Sequence, residues 1–182
     1  MSIAVPYLSE YEIECAASLL LREVGLGSKR YCTNIVPVES ILERHLKLSL
    51  DFDDLHTKLG VPISDDGPEI LGAIWIESRE VFIDQSLDPD ANPAMEGRFR
   101  FTVGHEIGHW CLHRDYIQDS PAEKDLFGAV SQRRPTVVCR AFASKEPIEW
   151  QADTFASCLL MPAPAGPPLV ARGFLTIRTA NL

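Results

Sequence analysis

The sequence predicts an α+β fold, a small three-stranded sheet packed with helices, and three observations predict it. Apolar residues recur at helical spacing in four separate stretches. Between the second and third stretches lie short runs that alternate in polarity or concentrate β-branched and aromatic residues, as strands do. With 182 residues, 46% hydrophobic and 24% charged, the chain is long enough to close one core without disulfide or metal staples.

Taken in order, Ser9 followed by Glu12 forms a capping box, and Ile13, Ala16, Ala17 and Leu20 share one face of a first helix that runs to Gly25. Pro37 suits the first position of a second helix, whose stripe is Val38, Ile41, Leu42 and Leu46. The period then changes: Leu46, Leu48, Leu50 and Phe52 alternate with polar residues and read as a strand. After the turn-rich SDDGP at 64–68, ILGAIWI and VFID read as a hairpin around Glu77, Ser78 and Arg79. Residues 85–94 form a loop ending in an Asn92–Pro93 helix start, and Phe99, Val103, Ile107 and Cys111 stripe the third helix. Residues 115–146 show no period and read as a surface excursion. A fourth helix opens at Pro147, carries Ile148, Ala152, Phe155, Ala156 and Leu159 on one face, and stops at Pro162. One domain over 1–162 followed by an irregular, shortened tail over 163–182 is the expected organisation.

Composition narrows the functional classes. Seventeen basic against 26 acidic residues leave a net charge of −9, which disfavours coating a phosphate backbone, so direct nucleic-acid binding is not expected. The first residues lack the basic and apolar regions of a secretory signal, and the long uncharged run Thr154–Ala171 is broken by prolines and a glycine, so no membrane span is expected. Five cysteines, odd in number and without a CxxC pair, read as free thiols in a reducing compartment, and the expected location is the cytoplasm.

The chemistry concentrates in HEIGH, residues 105–109. On a helix, His105 and His109 project from one face about 6 Å apart along the axis and can share one metal ion. Glu106, turned about 100° from His105, stands beside that ion without ligating it and can accept a proton from an attacking water. This is the zincin arrangement, with Zn²⁺ as the expected single catalytic ion, bound by three protein ligands with a fourth position left open. His113 continues the series but lies roughly 12 Å along the axis from His105, too far to share the ion. Glu149 and Asp153, one turn apart on the fourth helix, fit better: Glu149 completes the ligand set, and Asp153 accepts the free ring N–H of a ligating histidine. A second candidate ligand is Asp115, where an HExxHxxGxxH pattern would place one, although that pattern needs glycine at position 112 and Leu112 stands there. Gly104 and Gly108, also one turn apart, form a groove in which the fourth helix can approach.

RFTVGHEIGHWCLH followed by IEWQADTFASCLLMP resembles the ImmA/IrrE family of metallopeptidases, and VPVESIL with LGAIWI and VFID is in keeping with it. The resemblance runs from about residue 9 to residue 162. It implies gluzincin-like hydrolysis in a bacterial or phage cytoplasm, with His105, His109 and Glu149 as metal ligands and Glu106 as base. It also implies a helix-turn-helix transcriptional repressor as substrate. The competing expectation is a metal-dependent module that binds or senses such a repressor without cutting it. An extended substrate is expected to pair with a sheet edge near Gly72–Ile76, and His113, Tyr116 and Arg140 are candidates to steady an oxyanion.

Overall fold

The computed structural model describes residues 5–26, 35–62, 69–118, 137–140 and 146–162. The SDDGP turn, most of the 115–146 excursion and the 163–182 tail lie outside the described residues. Helix α1 (Glu10–Glu23) starts where the capping box places it. The Glu12 carboxylate accepts from the Ser9 backbone N–H at 2.8 Å, while the Ser9 hydroxyl accepts from the Glu12 N–H at 3.4 Å. Its buried face is Ile13, Ala16, Ala17, Leu20 and Leu21.

Helix α2 (Val38–Ser40) has Pro37 as its cap rather than its first residue, and passes directly into a π-helical turn at Ile41–His45. The strand expected from Leu46 starts three residues later, as β1 (Ser49–Asp53). The reason is in the backbone: the Leu46 and Leu48 N–H groups still donate to Ile41 and Leu42 carbonyls, at 3.0 and 3.1 Å. Between them Lys47 turns the chain through a left-handed conformation with φ 58°. Leu46 and Leu48 are buried, so their alternation reports burial without strand pairing.

A short helix that periodicity could not reveal, α3 (Leu55–Leu59), follows β1. The Asp54 carboxylate caps it by accepting from the Thr57 N–H at 2.9 Å, and Gly60 closes it at φ 64°, where L side chains are strained. Strands β2 (Ile70–Trp75) and β3 (Glu80–Asp84) form the expected hairpin, with Ala73 opposite Phe82 and Trp75 opposite Glu80. Asn92 caps a 3₁₀ turn at Pro93–Met95 that leads into helix α4 (Glu96–Gln118).

Among the described residues the sheet has four strands rather than three. The fourth, β4 (Val137–Arg140), lies inside the stretch read as an excursion; four residues are too few to display a period. Strand order is β1-β3-β2-β4, with β1 parallel to β3 and the other pairs antiparallel. Strand β2 is therefore hydrogen-bonded on both sides, and the edge expected near Gly72–Ile76 is occupied by β4. Every residue of β2 is buried.

Helix α4 lies between this sheet and helix α5 (Pro147–Leu160), and α1 packs on α5. Being covered from both sides, α4 is buried without interruption from Thr102 to Trp110, polar residues included. The close approach of α4 and α5 rests on small residues. A Cβ at Gly108 would lie 3.1 Å from the Ala152 Cα and carbonyl oxygen, and one at Gly104 would lie 3.3 Å from the Ala156 Cβ. Replacing Gly108 by leucine should force the helices apart. The expected result is a fall of about 1–3 kcal/mol or more in unfolding free energy by urea titration, and an unchanged midpoint would contradict the crossing.

Candidate metal centre

Helix α4 carries His105, Glu106, His109 and His113 into the interior, all at most 2% exposed. The helical turn that separates His105 from His109 brings their rings together edge to face, 76° apart, with Nε2 atoms 2.8 Å apart. Glu149, in the first turn of α5, reaches across the glycine crossing. Its two carboxylate oxygens lie 3.3 Å from His105 Nε2 and 3.6 Å from His109 Nε2.

The donor atoms of His105, His109 and Glu149 all fall within 4.8 Å of one another. Tetrahedral bonds of about 2.0–2.2 Å would separate their ligand atoms by roughly 3.3–3.5 Å, so this spacing fits a zinc-sized ion with little adjustment. Two imidazole nitrogens and one carboxylate oxygen are also a donor set that zinc takes readily.

Each imidazole is held from behind. His105 Nδ1 meets the Asp153 carboxylate at 2.8 Å, the contact expected from the one-turn spacing on α5. Burial alone would lower the His105 pKa, but Asp153, Cys139 and Glu149 together outweigh it and raise it well above the ordinary value. His109 goes the other way: burial, with the nearby His105 and His113, lowers its pKa well below the ordinary value.

Glu106 is fully buried, and neither of its carboxylate oxygens has a hydrogen-bond partner among the described residues. Burial, reinforced by the Glu149 charge and only partly offset by His105, pushes its pKa up to about 8. Room for the carboxyl comes from the sheet. A Cβ at Gly72 on β2 would sit 2.6 Å from Glu106 Oε1 and 2.8 Å from the Thr102 Cγ2.

His113 does not join the cluster; its Nδ1 faces His109 Nδ1 at 3.1 Å. Both of its ring nitrogens are engaged, by His109 and Gln151, while Tyr116 is 46% exposed and the Arg140 side chain lies outside the described residues. Asp115 is excluded as a ligand: α4 continues straight through Leu112, and the exposed Asp115 carboxylate pairs with Arg114 at 3.4 Å. Two contributors were not anticipated, Gly72 on β2 and Gln151 on α5, and Gln151 had a visible signal, a polar residue four positions before Phe155 on the apolar stripe. Cys139, one of the five cysteines read as free thiols, lies on β4 close enough to His105 and Glu106 to share an ion with them.

Paired imidazoles on a buried helix, an unpartnered carboxyl beside them and a carboxylate from a crossing helix define a hydrolytic metal centre of the metallopeptidase class. Residues 75–166 match the Peptidase M78 family, described as the IrrE N-terminal-like domain, and the chain belongs to that family. The match spans β3, α4, β4 and α5, and so all the clustered residues of the centre. No curated protein matches the chain. Membership makes it a peptidase of the hydrolase class and implies a metal. Among the described residues, no helix is long and apolar enough to cross a membrane.

The raised Glu106 pKa has a stability consequence in chelator-treated protein. A folded-state value near 8, above the roughly 4.5 of an unfolded glutamate, means the contribution is intact below about 4.5 and is lost as pH rises through 8. Glu106→Gln lacks this loss. Its urea-measured advantage over wild type should grow across that window, to at most about 5 kcal/mol, and a difference that is flat with pH would show the carboxyl to be solvated.

Proposed function

We propose that the chain is a zinc-dependent endopeptidase of the glutamate-ligand zincin type. In this reading His105, His109 and Glu149 hold one catalytic ion, Asp153 orients His105, and Glu106 moves the proton. The observation that carries it is the convergence of the His105, His109 and Glu149 donor atoms beside a buried carboxyl that has no hydrogen-bond partner among the described residues. When bound, the ion supplies Lewis-acid polarisation of a carbonyl and lowers the pKa of water at its open position.

The protein's own groups account for the remaining steps. Glu106 lies against the cluster and has no hydrogen-bond partner among the described residues, so its carboxylate is placed to take a proton from the attacking water and return it to the departing amine. Asp153 accepts the His105 Nδ1–H and so leaves Nε2 to face the cluster. Cys139 places β4 beside the same cluster, and β4 pairs with β2 along one side only in the described sheet. An extended peptide would therefore add to β4, with main-chain pairing holding the scissile bond over the imidazoles.

The substrate class that accords with the family is a helix-turn-helix transcriptional repressor in the cytoplasm, acted on without contact between this acidic chain and DNA. The catalytic domain in this reading is 1–162, with 163–182 as an appended tail.

Two measurements test the proposal. Glu149→Ala should lower zinc affinity by at least about 100-fold in a chelator competition, whereas retention of wild-type affinity would remove Glu149 from the ligand set. Incubation with a repressor encoded beside the gene should yield fragments in the presence of zinc. Chelation should abolish them, and Glu106→Gln should reduce their rate by about 10²–10⁴. Tight binding without fragments would replace proteolysis by sequestration, and a repressor that neither binds nor is cut would remove it as the substrate.

A further inference from the structure

We infer that His113, Gln151 and the Pro6 carbonyl form a proton-ordered chain that fixes the tautomer of His109 and leaves its Nε2 as a lone pair facing the cluster. The inference rests on reading His109 as a metal ligand, and concerns how that ligand is prepared before any ion arrives.

The order follows link by link from which atoms can donate. A backbone carbonyl only accepts, so the Gln151 amide must turn its NH₂ toward Pro6, where Nε2 donates to the oxygen at 2.9 Å. That orientation points Gln151 Oε1 at His113 Nε2, 3.0 Å away. An amide oxygen only accepts, so His113 Nε2 carries the hydrogen. His113 is fully buried, and its hydrogen-bond partners are Gln151 and His109, neither of them a carboxylate. The neutral ring is therefore the form that burial favours, and its Nδ1 is a lone pair. The contact of 3.1 Å between His113 Nδ1 and His109 Nδ1 then requires the hydrogen on His109. A neutral His109 with Nδ1–H has its Nε2 lone pair free.

The two ligating imidazoles are thus set by different means. His105 is backed by a carboxylate that is 55% exposed, and His109 by an uncharged, buried relay that ends on the segment preceding α1. Reversing the Gln151 amide would place two oxygens together at Pro6 and two donors together at His113. The relay therefore has one direction only. His113 and Gln151 are positioning residues; neither reaches the donor cluster.

The test reads tautomers directly. Long-range ¹H–¹⁵N spectra of the full-length, chelator-treated protein labelled at histidine should show His109 protonated at Nδ1 and His113 at Nε2. Gln151→Leu should mix the His109 tautomers and weaken zinc binding by about 10–100-fold in competition with a chromophoric chelator. Gln151→Glu places a carboxylate against His113, which favours the charged ring; its Nδ1 then donates, and the His109 proton should move toward Nε2. His109 protonated at Nε2 in the wild type, or an unchanged His109 tautomer in Gln151→Leu, would overturn the inference. Should Gln151→Leu fail to fold, the wild-type spectrum decides alone. Because the tautomers are read without metal or substrate, this outcome is separable from any failure of proteolysis.

Discussion

The closeness of α4 to α5 is the constraint on which the rest depends. Two helices with ordinary side chains between them pack about 8–10 Å apart, and contact closer than that needs residues without bulk. Gly104 and Gly108 on one helix, facing Ala156 and Ala152 on the other, provide it. Each glycine costs about 1 kcal/mol of helix stability relative to alanine, a penalty in local propensity that tertiary packing must offset. The return is positional: Glu149, Gln151 and Asp153 sit beside the same crossing and between them face four imidazole nitrogens.

That crossing also explains how so many polar groups are tolerated in the core. Burying an imidazole or amide without partners is costly, and the described hydrogen bonds account for those of His105, His109, His113 and Gln151. Glu106 is the exception, placed in a socket between the helix and β2 with no donor to satisfy it among the described residues. An unsatisfied acid in an otherwise satisfied network is the pattern in which stability has been traded for reactivity.

Much of this was legible in the sequence, because the signals are local. HEIGH needs only the helical period to place its imidazoles together, and the same arithmetic puts Glu149 one turn from Asp153. The capping box, the hairpin and the α5 stripe are likewise read from neighbouring residues. What escaped depends on distant parts of the chain. Strand β4 is four residues long and is defined by pairing with β2, which sequence alone does not display. Leu46 and Leu48 alternate as a strand would, yet a π-helical turn and the left-handed Lys47 determine their backbone. Gly72 resembled any glycine in a strand until the carboxyl above it was located.

Gly72 also ties the hairpin's alignment to chemistry. Side chains alternate along a strand, so a slip of one position in β2 would replace the bare hydrogen beneath Glu106 with the methyl of Ala73 or the isobutyl group of Leu71. Either would invade the volume held by the acid. The tight reversal through Arg79, at φ 61°, thus acts as an indexing device: by counting residues correctly between two strands, it keeps a proton-transfer group in its seat on α4.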